Sequence, residues 1–241
     1  MPESSIRAEE IFHIGGVAVT NSMFMGAIAM LLILAVAYFI NRAMKPVPGK
    51  LQSFFEVFAE AALDLMDSVL GHRELSVRYL PIVGTIFLFV LTSNWLGLLP
   101  LSHIHIGHAP LFRAPTADLN FTIALAVISV LAVNILGAAA IGFRGHVHKF
   151  FNFSDPVLFF VGILEFISEF VKIISFSFRL FGNIFAGEVL LTIVAFIAPY
   201  VVPLPFLFLE VFVGLIQALI FSMLTLVFLG MATVSHEEVH S

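Results

Sequence analysis

The stretch FVKIISFSFRLFGNIFAGEVLLTIVAFIA, residues 170–198, decides the fold, because it is as apolar as a bilayer interior and yet contains an arginine. A guanidinium keeps its charge in proteins, so Arg179 cannot avoid the cost of the membrane by losing a proton. That cost is about 2.5–3.5 kcal/mol on insertion scales. A charge at such depth normally faces a partner or a water-filled cavity, so we expect Arg179 to act on an ion path.

The composition places the whole chain in a membrane. Of its 241 residues, 60% are hydrophobic and only 11% are charged, whereas soluble domains carry about 25% charged residues. Several apolar runs exceed the roughly 18 residues that a spanning helix needs. The chain has no cysteine and no nucleotide-binding or zinc motif. We therefore predict no cofactor, no metal site, and neither a nucleic acid nor a nucleotide as a partner of this chain.

The pattern predicts an all-α membrane protein with a single membrane domain, residues 1–241. We expect about five membrane-embedded helices and one amphipathic helix at the membrane surface or at a partner interface. The amphipathic helix, 51–70, carries an acidic stripe in which the residues recur at spacings of four and three. The stripe is Glu56, Glu60, Asp64 and Asp67, and the membrane helices are 19–40, 79–99, 118–143, 157–198 and 205–234.

The last two helices should be long and steeply tilted. Neither a proline nor a paired glycine interrupts residues 157–198, so one helix would be about 60 Å long. The hydrocarbon core is only about 30 Å thick. The helix should therefore either break near Gly182 or tilt by roughly 60°. Pro199, Pro203 and Pro205 should then turn the chain into a hairpin with the last helix.

The basic residues favour one orientation. With the N-terminus outside and the C-terminus inside, most of the lysines and arginines lie in the inner loops, as the positive-inside rule requires. The outer side then holds only Arg7 and Arg113, while Lys172 and Arg179 lie within the long helix. The inner residues are Arg42, Lys45, Lys50, Arg73, Arg78, Arg144 and Lys149.

The long helix carries most of its polar residues on one face, whereas Glu188 faces the opposite side at 100° per residue. This arrangement indicates two separate polar compartments that meet near Arg179. The residues that share the first face are Glu165, Glu169, Lys172, Arg179 and Asn183.

The last helix contributes Glu210 and Gln217, which are seven residues apart and share a face. If the hairpin sets Arg179 opposite Gln217, then Glu188 lies opposite residue 208, within one turn of Glu210. The four residues would then form one site.

A family resemblance rests on these motifs. SFRLFGNIFAGEVL, followed by LIQALIFSMLTLVFLGMA and preceded by PTADLN at 115–120, resembles subunit a of the F-type ATP synthase, over roughly residues 80–235. That subunit is the membrane stator that faces the rotor ring. The resemblance implies a proton-conducting subunit of the bacterial inner membrane that is no enzyme on its own. It also implies the partners: the c-subunit ring, b-type peripheral stalk subunits, the remainder of the F1Fo complex, and membrane lipid.

The resemblance implies roles for single residues. Arg179 would face the essential carboxylate of each c-subunit, between two offset aqueous half-channels. Asn183 would be its neighbouring amide, Gln217 the glutamine near it, and Glu188 the acid of the outer half-channel. Many bacterial members have histidine where this chain has Glu210. From the spacing we infer that Glu188 and Glu210 share one outer channel and one proton, because adjacent carboxylates resist ionising together.

Plainer explanations remain open for several residues. Glu165 and Lys172 fall where the family often has an acid and a lysine, but Lys172 could simply pair with Glu165 or Glu169. Those two acids could also form a solvated face at the inner boundary. Asp118 and Asn120 either line the outer channel or cap the fourth helix.

Two further alternatives concern the outer loop and the function. His103, His105 and His108 are spaced like a metal cluster, but in a short outer loop we expect them to be solvated. The alternative function is a secondary ion transporter that uses the same buried charges. Transporters usually contain internal repeats and broken helices, and no repeat relates the two halves of this chain.

Overall fold

The computed structural model describes residues 9–14, 16–45, 49–99, 105–106, 109–110, 113–142, 156–199 and 201–233. Within these residues the chain forms six α-helices, and all except the second are long and apolar enough to cross a membrane. The prediction of an all-α, multi-pass membrane protein is therefore confirmed. The helices are α1 (Asn21–Ala43), α2 (Lys50–Leu70), α3 (Arg73–Gly97), α4 (Leu119–Ile141), α5 (Pro156–Ile197) and α6 (Pro203–Thr233).

The largest difference in helix bounds concerns α3, which begins at Arg73 and not at residue 79. Hydropathy detects only the apolar part of a helix, and the first two turns of α3, RELSVRY, are polar. Pro81 is the ninth residue of the helix, so α3 continues through it although a proline there removes one backbone hydrogen bond. The start of α1 is set by Thr20, whose side chain accepts a hydrogen bond from the Met23 N–H.

Two short β-hairpins were not predicted. Strands β1 (Glu10–Ile14) and β2 (Val17–Thr20) pair antiparallel just before α1. Strands β3 (His105–Ile106) and β4 (Ala109–Pro110) pair in the connection between α3 and α4. In the first hairpin, the sequence signal is the pair of glycines between two apolar runs, EIFHI and VAVT.

Helix α5 runs without a break, so the predicted alternative of an interruption near Gly182 is wrong. With 42 residues the helix is about 63 Å long, and it fits a core of about 30 Å only when it is steeply inclined. Helix α6 packs antiparallel beside it: the rings of Phe176 and Phe221 have centroids 4.8 Å apart, and Gly187 lies against Glu210. These contacts differ from the predicted register by one residue.

The apolar core has two parts. The first lies between α3, α4, α5 and α6 and includes Leu180 and Ala218 at its centre. The second lies at the other end of the bundle, where Met66 of α2 packs with Tyr79 and Leu229. Helix α2 is therefore attached to the bundle by one face only, while Phe54 on another face is 65% exposed. This agrees with an amphipathic helix at a membrane or partner surface.

The corner between α2 and α3 joins three acids of the predicted stripe to one arginine. Gly71 ends α2 with φ +74°, a conformation that glycine adopts without strain. Beyond it, the Arg73 guanidinium donates to Glu60, Asp64 and Asp67. The Ser76 hydroxyl and Arg73 hold the pKa of Asp67 below its ordinary value. This contribution to stability is present above about pH 3.9 and is lost as the pH falls further.

We expect Arg73→Gln to loosen this corner, because three neighbouring carboxylates would lose their common cation. Amide hydrogen exchange in the last two turns of α2 should become several-fold faster in the assembled complex at neutral pH. Arg78→Gln, which removes a nearby charge whose guanidinium lies over the Tyr79 ring, is the matched control. Equal exchange rates in the two variants would contradict the role given to Arg73.

Candidate functional site

Arg179 lies exposed on the surface of the bundle, near the middle of α5. Its Nη2 donates to the Ser175 hydroxyl at 3.2 Å. Phe178, beside it, is 56% exposed, and Ile174 is exposed to a similar degree. Arg179 lies about 35 Å along the axis from one end of α5 and about 27 Å from the other. Among the described residues, the hydroxyl of Ser175 is the hydrogen-bond partner of this guanidinium.

Gln217 lies at the same level of the hairpin but faces inward. It is buried, and within the described part of the chain its Nε2 has no hydrogen-bond partner. The predicted pair therefore shares a level, but the described residues include no hydrogen bond between Arg179 and Gln217. Asn183, one turn along α5 from the arginine, is half-buried. A buried polar atom without a partner calls for an explanation, and an ion path along this level would supply one.

Glu188 and Glu210 lie near each other in the hairpin. Glu210 is only 7% exposed, and its carboxylate rests against Gly187, where a Cβ would overlap it. Glu188 follows Gly187 in α5, and its side chain is 38% exposed. The Glu210 carboxylate thus rests on the residue that directly precedes Glu188 in the chain. The two acids therefore belong to the same part of the hairpin, and the shared channel and shared proton inferred from their spacing stay a prediction.

Arg113 is a member of this cluster that sequence reasoning missed. Its Nε lies 3.8 Å from Glu188 Oε2, and its side chain is only 7% exposed. Its Nη2 donates to the carbonyl of Ala117 at 3.2 Å, within the 3-10 turn Pro115–Ala117. We had placed Arg113 among the outer loop charges. A usable signal existed, because it is the one basic residue between Arg78 and Arg144 and directly precedes the PTADLN motif.

Polar side chains of α3 hold the backbone of α6 beside this cluster. Asn94 donates from Nδ2 to the carbonyl of Gly214 at 3.0 Å and accepts at Oδ1 from the Thr116 hydroxyl at 2.8 Å. Trp95 donates from Nε1 to the carbonyl of Val211 at 3.1 Å. These bonds link α3, the 3-10 turn and α6 over one turn on the C-terminal side of Glu210. Sequence reasoning also missed these residues, because no local spacing relates them.

Asp118 caps α4, which is one of the two alternatives left open. The residue is buried, and its Oδ1 accepts a hydrogen bond from the Asn120 N–H at 3.1 Å. Asn120 itself is exposed at the start of the helix. A capping aspartate needs no ion path to explain it.

An ion pair lies on α5 on the N-terminal side of Arg179. Lys172 Nζ lies 2.6 Å from Glu169 Oε1, and each side chain is 18% exposed. Asn134 of α4 donates to the other oxygen of Glu169 at 3.0 Å, and Lys172 lies over the Phe228 ring of α6 at 4.6 Å. Of the alternatives left open, pairing with Glu169 is therefore the one that fits Lys172. Glu169 does not lie on a solvated face, because its side chain is largely buried and bonded to Lys172 and Asn134. Glu165 is half-buried one turn nearer the inner end.

The histidines of the outer loop cannot be assigned a site. His103 and His108 lie outside the described residues, and only the backbone of His105 is described, in β3.

The region in which this chain matches known proteins includes all the residues of the site described above. The family model for the ATP synthase A chain matches residues 23–230. The chain is 35% identical over 225 residues to ATP synthase subunit a of Moorella thermoacetica, with 93% of this chain and 96% of that protein covered. It is 37% identical over 213 residues to ATP synthase subunit a of Gloeobacter violaceus, covering 88% and 83%. It is 36% identical over 223 residues to the chloroplastic ATP synthase subunit a of Stigeoclonium helveticum, covering 92% and 86%.

Proposed function

Because the chain belongs to the ATP synthase A chain family, and is thus a subunit of the F1Fo complex, we propose that it is the ion-conducting stator of the Fo sector. The observation that carries this proposal is the exposed Arg179 on an apolar helix face. A fixed cation at that depth suits a carboxylate on a second chain that passes in front of it. The carboxylates of a c-subunit ring meet this requirement.

In this proposal a proton enters through the outer compartment, at Glu188 and Glu210, and passes to a rotor carboxylate. The ring turns, and the proton leaves through the inner compartment beside Glu165 and Glu169. Arg179 separates the compartments: it draws each arriving rotor carboxylate into its ionised form and blocks a direct leak of protons. Gln217 and Asn183 flank that position, and Lys172 compensates Glu169.

The magnitudes are compatible with turnover. A guanidinium and a carboxylate about 4 Å apart attract by about 4 kcal/mol at an effective dielectric constant of 20. A driving force of about 200 mV contributes about 4.6 kcal/mol for each charge. The two energies are of the same order, so the arginine can attract a rotor carboxylate without trapping it. The chain itself performs no chemical step, since the nucleotide chemistry belongs to other subunits.

We place the N-terminus outside and the C-terminus inside a bacterial plasma membrane, with b-type peripheral stalk subunits as further partners. The support is the distribution of charge: Arg42, Arg73 and Arg78 lie at the end of the bundle that also carries α2. A secondary transporter is less consistent with α5, which passes the level of Arg179 unbroken. The proton is the proposed ion, and sodium-driven ATP synthesis in proteoliposomes at zero proton gradient would contradict it.

The two compartments should be separable by chemical access, which tests the proposal directly. The chain has no cysteine, so single cysteines can be introduced without background. With a membrane-impermeant thiol reagent, cysteines at 165 and 169 should react from the inside, and cysteines at 188 and 210 from the outside. Water must reach each of these sites if ions do.

Phe178→Cys is the matched control for this labelling. That position is exposed on the bundle beside Arg179 but faces lipid or the rotor, so its thiol should stay unreactive from both sides. Labelling of all four acid positions from the same side would refute the two-compartment arrangement.

A further inference from the structure

We propose that Arg113 is a positioning residue for the outer half of the ion path: it fixes the Glu188 carboxylate and compensates its charge. This inference rests on the proposed function, since it concerns the same outer compartment. It assigns a role to a residue that lies outside the membrane-spanning helices and that the spacing arguments did not include.

The first support is the rigidity of the arginine. Its Nη2 is anchored on the Ala117 carbonyl, and all three residues of the 3-10 turn are buried. Ala114, the next residue, packs so closely on Gly97 of α3 that a Cβ on that glycine would overlap it. A buried guanidinium held by its own turn keeps a fixed place relative to α5, unlike a loop arginine in solvent.

The second support is the charge balance at this end of the bundle. The acids at this end of the bundle are Glu188 of α5, Glu210 of α6 and Asp118, which caps α4. Among the described residues buried at this end, Arg113 is the cation that opposes them. A carboxylate buried without a cation is strongly unfavourable. With one arginine present, the Glu188 and Glu210 pair can hold one negative charge and one proton.

The third support is the distance itself. At 3.8 Å the Arg113 Nε and Glu188 Oε2 attract each other but exceed hydrogen-bond length. Glu188 Oε2 is buried and has no hydrogen bond to any described residue, so it can accept a proton without breaking an existing hydrogen bond. A bidentate salt bridge would occupy both carboxylate oxygens instead. The geometry therefore compensates the charge of Glu188 while leaving an oxygen free for transfer.

The test is the pH profile of ATP-driven pumping by the purified complex in proteoliposomes. Arg113→Gln should move the profile to higher pH by about one unit, because a carboxylate that loses a neighbouring cation keeps its proton to higher pH. Arg113→Lys, which retains the charge, should keep the profile close to that of the parent. Glu210→Gln removes a neighbouring negative charge and should move the profile the other way. Arg42→Gln, at the inner end of α1, is the charge-loss control and should not move it.

A double-mutant cycle separates positioning from mere folding. On a Glu188→Asp background, which keeps a carboxylate but draws it back by one methylene, Arg113→Gln should add a smaller shift than in the parent, because the acid then lies farther from the guanidinium. If Arg113→Gln alone fails to assemble, combining it with Glu188→Gln should restore part of the assembly, because the carboxylate nearest to the lost guanidinium is then neutral. An unmoved profile in Arg113→Gln, a lysine variant that shifts as far as glutamine, or a combination with Glu188→Gln that fails to assemble would each overturn the inference.

Failure of this inference can be told apart from failure of the proposed function. If Arg179→Ala abolishes pumping while Arg113→Gln leaves the profile unmoved, only the role of Arg113 is lost. If Arg179→Ala pumps normally, the proposed stator function itself is contradicted, whatever Arg113→Gln does.

Discussion

Arg179→Ala should abolish both ATP-driven ion pumping and ion-driven ATP synthesis, while the complex still assembles. The guanidinium is exposed on the bundle, and its one described hydrogen bond, to Ser175, is local. Removing it should therefore cost this chain little stability, since an alanine on an apolar helix face is well tolerated. The rotor carboxylates, however, would lose the fixed charge that makes them ionise. Pumping by inverted vesicles, with the amount of assembled complex measured in parallel, checks the result.

Two further variants show whether charge or shape matters at this position. Arg179→Lys should restore little activity, because an ammonium loses its proton on desolvation far more readily than a guanidinium. Ser175→Ala, which removes only the local hydrogen-bond partner, should keep most of the pumping. Coupled pumping at the parental rate in Arg179→Ala vesicles would exclude the stator role for this arginine.

Much of the fold could be predicted from the sequence because a bilayer restricts the possible structures. A spanning segment must satisfy its backbone internally, so long apolar runs become helices. The register of α5 and α6 was also accessible, since prolines at 199, 203 and 205 mark the turn between them. Hydropathy could not locate the polar beginning of α3. One glycine costs a helix only about 1 kcal/mol, so Gly182 alone could not indicate from the sequence whether α5 breaks or continues.

The residues of the candidate site likewise divide into those that the sequence could group and those that it could not. Residues on α5 and α6 could be grouped by helical periodicity, and Glu188 and Glu210 lie near each other in the hairpin. The side chains that come from other elements could not be grouped, because tertiary packing alone brings them there. Arg113 reaches Glu188 from the turn before α4, and Asn134 reaches Glu169 from within α4.

The charged side chains of the hairpin differ in whether the described residues supply a neighbour of opposite charge. Glu169 and Lys172 compensate each other within one turn of α5, and Glu188 is compensated from a turn far away in sequence. Arg179 differs from both: the described residues offer it a hydroxyl but no carboxylate. The described residues leave this one charge without a carboxylate partner, which is consistent with the proposal that a rotor carboxylate supplies the counter-charge.

Gly187→Ala should reduce coupled pumping by about 10-fold to 100-fold, although it adds only one methyl group. Both carboxylate oxygens of Glu210 and the carbon between them lie where the Cβ would be placed. Glu210 is buried, and the α6 backbone beside it is held by Asn94 and Trp95, so the carboxylate must move instead of the helix. Moving it separates Glu210 from Glu188 and interrupts the outer proton path. Pumping rate per assembled complex is the measurement.

A compensating change identifies the cause of that loss. Gly187→Ala combined with Glu210→Asp, whose side chain is shorter by one methylene, should recover part of the activity, because the acid then fits beside the new methyl group. Gly84→Ala in α3 is the control, since the nearest atom to its Cβ would be Leu80 Cδ1 at 3.9 Å, an ordinary contact. If Gly187→Ala pumps as well as Gly84→Ala, the close packing of Glu210 on Gly187 has no part in conduction. If the double variant recovers nothing, the loss comes from the helix contact and not from the displaced acid.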